Sequence, residues 1–304
     1  MTDEAILPPN SGLGGPLLGG AVAGMQPRRS RFREHSILPG FGLSLGITLF
    51  YLGVIVVLPL IALAIRPWEL GPDGVWKALT APRVAAALKL SFGLSALAAL
   101  LNAPLGLLLA WTLTRYRFPG RRLLDALVDL PFALPTAVAG IALTAIYAPT
   151  GPLGSVAAKF GIKTAFSPVG IFIALVFIGL PFVVRSIQPV LEDLDRDVEE
   201  AAQTLGANSV QQAVRVILPA LAPSLVSGVS LAFARAVGEY GSVVFIAGNL
   251  PMKTEIAPLI IVIKLEQYDY AGAAAVGLAM VGISFGALVA INALQLFLAG
   301  RGRR

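Results

Sequence analysis

The sequence predicts an all-α fold, a polytopic membrane helix bundle of about six transmembrane helices, and three observations support that class. Of its 304 residues, 56% are hydrophobic and 13% charged, whereas soluble domains average about 45–50% apolar and 25% charged. The mean hydropathy is +0.80. The apolar residues lie in long blocks, separated by loops of which one is long, polar and helically patterned. A soluble fold is therefore excluded.

Six segments reach the ~20 apolar residues that a helix needs to cross a bilayer. They cover residues 41–65, 84–113, 124–148, 169–187, 221–247 and 271–298. The second is long enough to tilt, or to contain a break at Asn102-Ala103-Pro104. The predicted organisation is a disordered cytoplasmic tail (1–36), a first transmembrane helix with its outer loop (37–83), a main transmembrane domain (84–298) that includes a polar loop (188–222), and a basic cytoplasmic tail (299–304).

The basic residues are distributed unevenly between the two sides of these spans. With a cytoplasmic N-terminus, 14 of the 23 lysines and arginines lie on the cytoplasmic side and seven on the other. Because cytoplasmic loops of membrane proteins are enriched in Lys and Arg, this bias predicts that both termini are cytoplasmic. It also accounts for the net charge of +6 without a nucleic-acid partner.

Few residues could serve catalysis or metal binding. The chain has no cysteine and one histidine, His35, in the polar N-terminal stretch, so thiolate sites and histidine-based zinc or Ser-His-Asp sites are disfavoured. The phosphate loop G-x-x-x-x-G-K-[S/T] is also missing from the sequence. We expect no enzyme activity, no bound cofactor and no metal in this chain.

The polar loop 188–222 is too polar to span a membrane and too regular for a linker. Leu194, Val198, Ala201, Ala202 and Leu205 recur at helical spacing, with acids on the other side. Asp195 suits the N-cap of this helix, and Gly206 suits a left-handed C-terminal cap. A second helix starts at Asn208, with Gln211 at capping-box spacing, and is predicted to end near Pro219. From this pattern, docking against another protein and lying on the membrane surface are both open.

Part of this loop resembles the EAA loop of permease subunits of ATP-binding-cassette (ABC) importers. The matching residues are Glu200-Ala201-Ala202, Gly206 and, after nine intervening residues, Val216-Ile217-Leu218-Pro219. Only Val216 departs, since isoleucine is usual there. The resemblance implies a type I ABC importer permease fold for residues 84–298. It also implies that Glu200, Ala201 and Ala202 contact an ATPase subunit, that Gly206 permits the turn, and that Leu218 and Pro219 brace the loop against span five.

Three further stretches, 113–140, 181–194 and 233–273, are similar to permeases of sulfate/thiosulfate importers of the CysT type, and the similarity covers about residues 36–297. Molybdate/tungstate permeases share parts of it and are the alternative. The resemblance implies a multi-pass protein of the inner membrane, working with two ATPase subunits that use ATP, a second homologous permease and an extracytoplasmic sulfate-binding protein.

Two ionisable residues, Arg235 and Glu239, fall within the fifth span. Charges near the bilayer centre are costly and face the interior or each other, and a spacing of four places the pair on one helical face. They either line the anion path or form a structural ion pair. Asp125 and Asp129 begin the third span, where we expect local pairing with Arg121 and Arg122. A proton-coupled carrier using these acids is the competing function class.

Overall fold

The computed structural model describes the backbone of residues 41–301 and the side chains of residues 41–293, apart from that of Arg196. The described chain contains helices and no strands, which confirms the all-α prediction. The predicted tail 1–36 and residues 302–304 of the C-terminal tail lie outside it. The α-helices are, in order, α1 Phe41–Leu52, α2 Leu58–Ile65, α3 Gly71–Thr80, α4 Pro82–Arg115, α5 Arg121–Val128, α6 Leu130–Ala133, α7 Thr136–Tyr147, α8 Pro152–Lys159, α9 Pro168–Asp193, α10 Arg196–Thr204, α11 Ser209–Gln212, α12 Leu218–Val237, α13 Val243–Ile246, α14 Ala257–Glu266 and α15 Tyr270–Arg301.

The described residues contain five helical stretches long and apolar enough to cross a membrane, and six if the bent pair α7–α8 is counted as one span. These numbers confirm the prediction of about six spans. The five stretches are Phe41–Thr80, Pro82–Arg115, Pro168–Asp193, Ser209–Val237 and Tyr270–Ala293. The two helices of the bent pair meet at 45°.

The described residues divide into two units, 41–52 and 53–301. The described part of the first unit is the single helix α1, in which no residue is buried. In the second unit, α4, α9 and α12 pack together around buried Leu113, Ile187 and Leu221. This three-helix core positions the loops discussed below.

Small residues allow these three helices to approach closely. A Cβ on Gly106 of α4 would lie 2.6 Å from the side chain of Val183 on α9, and one on Gly228 of α12 would lie 3.0 Å from the Cα of the same valine. Because apolar helices gain little hydrophobic free energy by associating inside lipid, close van der Waals packing at small residues is a main source of their affinity.

Three predicted spans differ from the structure. The second is one unbroken helix through Pro104, so the break at 102–104 is absent. The third, predicted as 124–148, is interrupted between α6 and α7 at Leu134 and Pro135, both outside helical geometry. The fifth, predicted to reach residue 247, ends at Val237. Irregular backbone is tolerated at membrane depth where protein covers it, so apolar composition alone does not reveal such breaks.

The sequence suggested that a helix ends near Pro219, but the structure shows no helix end there. A π-helical turn, Ala213–Ile217, joins α11 to α12, and Pro219 follows it as the second residue of α12. The same arrangement occurs at Gly53–Val57, before Pro59 of α2. Proline has no N–H to donate and crowds the carbonyl four residues earlier, and the wider π turn accommodates both effects within a continuous helical stretch.

Candidate coupling surface and translocation site

The polar loop forms the two short helices that were predicted, α10 and α11, joined by a glycine turn. Gly206 has a φ of +82°, a left-handed conformation that glycine adopts without steric cost. Asn208 and Gln211 form a reciprocal capping box: each side chain accepts a hydrogen bond from the other residue's backbone N–H. Asp195 occupies the N-cap position of α10, but its side chain makes no capping hydrogen bond. The loop is shorter than predicted, because α9 continues through Pro189 to Asp193.

Apolar side chains on this loop point away from the bundle. Val198, Leu205, Val210 and Val214 are exposed, and Leu205 is 88% exposed. Exposed apolar groups on a polar loop are typical of a surface that meets another protein or a membrane. We call the exposed side of α10, α11 and the following π turn the coupling surface.

The residues of the EAA resemblance fall in two places. Glu200 and Ala201 are exposed on α10, and Ala202 is half-buried. Leu218 and Pro219 are both exposed. The loop is packed against the bundle by other residues, Ile217 and Leu221, which are 5% and 1% exposed.

Sequence reasoning missed the contact that holds α10 against the bundle. Arg115, the last residue of α4, donates from Nη2 to Oε1 of Glu199 at 2.5 Å. Gln212 donates from Nε2 to the backbone carbonyl of Glu199 at 3.3 Å. The guanidinium of Arg115 also lies 5.6 Å from the ring centre of Trp111. Residues 115 and 199 are 84 apart in sequence, so no local pattern could have predicted their pairing.

Arg235 and Glu239 form an ion pair, with 2.6 Å between Nη1 and Oε2. They do not share a helical face, however, because α12 ends at Val237 and Glu239 lies in the loop that follows. Glu239 is 2% exposed, and its Oε1 accepts hydrogen bonds from the backbone N–H and the hydroxyl of Ser242, both at 2.9 Å. The arginine side chain is 36% exposed. Both carboxylate oxygens of Glu239 thus have partners, whereas part of the Arg235 side chain is exposed.

The start of α7 packs directly against this loop. A Cβ on Gly140 would lie 2.5 Å from the carbonyl oxygen of Ser242, and one on Gly241 would lie 2.1 Å from the hydroxyl oxygen of Thr136. The ion pair therefore lies where two interrupted spans, the third and the fifth, meet.

Asp125 and Asp129 pair with Arg185 of α9, not with Arg121 and Arg122 as predicted. Arg185 donates to Asp129 at 2.8 and 2.5 Å, and to the Oδ1 of Asp125 at 2.8 Å. It also donates to the side chain of Gln188 at 2.5 Å. Neighbours in sequence were the obvious partners for these acids, but the packing of α5 and α6 against α9 brings a distant arginine closer.

Besides Arg66 with Glu69, two ion pairs lie in the segments predicted to be extracytoplasmic. Arg83 holds Glu255 in a bidentate contact, at 2.8 and 2.5 Å. Lys264 donates to Asp269 at 2.7 Å, and Asp269 also accepts the backbone N–H of Gly272 in the first turn of α15. The Lys264 ammonium, followed by this N–H, lowers the pKa of the Asp269 carboxyl from its ordinary value.

The fold of this interrupted bundle with its projecting helical loop is shared by chains of ABC importers of known structure. A chain of a bacterial ABC transporter involved in the import of the acidic polysaccharide alginate superposes with a TM-score of 0.69 at 16% identity, over 83% of this chain and 93% of that chain. A chain of the alginate transporter in complex with an alginate pentasaccharide-bound periplasmic protein gives 0.69 at 17% identity, over 83% and 92%. At these identities the likeness concerns the fold.

The chain belongs to the family of binding-protein-dependent transport system inner membrane components, which matches residues 102–303. It is 48% identical to the sulfate transport system permease protein CysT of Escherichia coli (strain K12) over 262 residues, 86% of this chain and 95% of that protein. The CysT protein of Synechocystis sp. is also 48% identical, over 82% of this chain and 87% of its own length. The chain is therefore a multi-pass inner-membrane transport subunit.

Proposed function

We propose that this chain is a permease subunit of an ATP-driven importer that moves sulfate, and thiosulfate, across the inner membrane. The observation that carries the proposal is the 48% identity to proteins named sulfate permeases, which extends over 86% of this chain. Moving a dianion inward against a potential of 100 mV costs about 4–5 kcal/mol, at ~2.3 kcal/mol per charge. ATP hydrolysis by partner subunits is adequate for that work.

The coupling surface is the proposed contact with the ATPase. Glu200, Ala201 and Ala202 would lie in the interface, and Gly206 would hold the turn between the two short helices. The complex would contain two ATPase subunits, a second homologous permease and an extracytoplasmic sulfate-binding protein. ATP would close the ATPase pair and move the coupling surfaces together, so that the bundle alternates between inward- and outward-facing states.

Arg235 is proposed as a transient contact for the anion in the translocation path. Its carboxylate partner is buried and anchored by Ser242, while its own side chain is 36% exposed, and this asymmetry favours a role for the cation. We expect Arg235→Ala to reduce uptake severalfold while the complex still assembles with the ATPase. Lys89→Ala is the matched control, since it removes a cation from a different span. Normal uptake by Arg235→Ala at equal expression would leave the pair a structural ion pair.

A proton-coupled carrier is the less favoured function. It needs a carboxylate that can gain and lose a proton, but Asp125 and Asp129 are both held by Arg185, and Glu239 is held by Arg235 and Ser242. Because each of these three acids is paired with an arginine, we favour a structural role for them over proton exchange.

The test is uptake of labelled sulfate, thiosulfate and molybdate by proteoliposomes that contain the chain with its second permease, ATPase and binding protein. We expect ATP-dependent accumulation of sulfate and thiosulfate, and none when the ATPase is omitted. Glu200→Lys and Gly206→Pro should abolish it. Uptake driven by a pH gradient without ATP would identify a carrier, and a preference for molybdate would change the substrate.

A further inference from the structure

Consecutive glutamates on α10 occupy different environments. Glu200 is exposed, whereas the side chain of Glu199 is 21% exposed and faces the bundle. Successive residues on an α-helix are about 100° apart, so neighbouring side chains can serve two surfaces. Glu200 lies on the coupling surface, and Glu199 lies on an adjacent side of the same helix, against the bundle.

Glu199 is held through both its side chain and its backbone. Its carboxylate receives Arg115 at 2.5 Å, and its carbonyl receives Gln212 at 3.3 Å. The side chain of Arg115 is 12% exposed, and the aromatic ring of Trp111 lies beside its guanidinium. Separating charges that are this far buried would leave both incompletely solvated, so the contact favours α10 and α4 staying together.

Arg115 belongs to α4, a long helix of the core. α4 is continuous over 34 residues, and Asn102, fully buried on it, donates to the carbonyl of Val176 on α9 at 3.1 Å. Gly106 packs against Val183 of α9 one turn further on. These contacts join α4 to α9 within the core.

We propose that Arg115 and Glu199 are positioning residues that couple α10 to α4, so that a movement of the coupling surface moves the bundle. The inference rests on the proposed function, in which the ATPase moves that surface. Glu199 neither binds the ATPase nor contacts the anion in this arrangement. It joins the helix that meets the motor to a helix that forms the transmembrane core.

The absence of native cysteines permits a direct test with two spin labels. Gln203→Cys places one label at an exposed position of α10, and Leu108→Cys places the other on α4, where the leucine is 63% exposed. Because Gln203 lies on the coupling surface, the doubly labelled chain must first co-purify with its ATPase as the wild type does. In the assembled complex we expect the distance distribution between the labels to stay narrow with and without ATP. Glu199→Gln should broaden it, and Asp193→Asn, which removes an exposed acid from the same stretch, should not.

The functional readout is the amount of anion transported per ATP hydrolysed. Glu199→Gln and Arg115→Gln should each lower this ratio about fivefold, the lower end of typical coupling between sites, with ATPase co-purification unchanged. Arg115→Lys keeps the positive charge but loses the planar guanidinium. Its ratio of anion transported to ATP hydrolysed should lie between that of these variants and that of the wild type. The double exchange Arg115→Glu with Glu199→Arg should recover most of the ratio, since the pair would re-form in reverse.

Three results would overturn the proposal: an unchanged ratio in Glu199→Gln, no recovery in the double exchange, or loss of ATPase binding in Glu199→Gln. The last would make Glu199 an interface residue. Failure of the proposed function would look different, because the wild-type complex would then import no sulfate. The label distances can be measured in any complex with an ATPase, whatever the anion.

Discussion

Single residues show how this chain places charge in an apolar molecule. With only 13% charged residues, most of the ion pairs that the described side chains form join different helices or join a helix to a loop. Arg185 alone holds two carboxylates and a glutamine. Because a charge left unpaired at membrane depth is costly, these few residues act as specific cross-links between elements.

Asp269 offers a test at the residue scale through pH. Its folded-state pKa is lowered, chiefly by Lys264, from an ordinary value of 3.8. The ionised carboxylate therefore stabilises the folded state above about pH 4, and this contribution is lost as the pH falls through the lowered pKa. Asn at this position keeps an acceptor for the N–H of Gly272 but carries no charge. The side chain of Asp269 is 38% exposed. We therefore expect Asp269→Asn to lower the free energy of unfolding by about 0.5 kcal/mol at neutral pH.

The measurement is the thermal unfolding midpoint of both proteins in detergent, from pH 7 down to pH 3. The two midpoints should converge at the acidic end. A difference that stays constant over this range would show that the charge of Asp269 contributes nothing and that the capping geometry alone matters.

At the scale of elements, close helix contacts depend on a few positions without a side chain. Gly140 of α7 is one of these, because any Cβ there would meet the backbone of Ser242, which cannot move as a side chain can. We expect Gly140→Ala to destabilise the protein by about 1–3 kcal/mol, the usual cost of overpacking. It should also lower uptake, since Ser242 anchors Glu239.

The matched control for this substitution is Gly93→Ala in α4. A Cβ at Gly93 meets nothing within 4 Å, and alanine favours a helix over glycine by about 1 kcal/mol. This variant should be as stable as the wild type or more so in unfolding assays. Equal stability of the two alanine variants would contradict the close contact between α7 and the loop after α12.

The sequence predicted features with local causes and missed features that depend on distant contacts. The capping box at Asn208 and the glycine turn at Gly206 follow from neighbouring residues, and both are confirmed. The end of α12 at Val237 could not be predicted from hydropathy, because residues 238–247 are apolar enough to prolong a span and their irregular backbone is covered by protein. The pairing of Asp125 and Asp129 with Arg185 could not be predicted either, because it depends on α9 packing beside these acids.

At the scale of the whole molecule, the long-range contacts agree with one arrangement of the loops. Arg115 meets Glu199, and both lie in segments predicted to be cytoplasmic. Arg83 meets Glu255, and both lie in segments predicted to be extracytoplasmic. A chain with six crossings satisfies these pairings together with the bias in basic residues. The bent pair α7–α8 decides the number, since it can cross the membrane or return to the side from which it entered.

We predict that the pair α7–α8 crosses, giving six spans with the coupling surface in the cytoplasm. Single cysteines can be introduced without background labelling, because the chain has none. In intact spheroplasts, a membrane-impermeant maleimide should label Lys159→Cys at the end of α8 and Glu266→Cys at the end of α14. It should label Arg122→Cys and Gln203→Cys only after permeabilisation. Leu100→Cys, at an exposed apolar position within the span formed by α4, should remain unlabelled in both conditions. If Lys159→Cys and Arg122→Cys were labelled from the same side and Gln203→Cys from the other, α7–α8 would be a re-entrant hairpin and the molecule would not have six crossings.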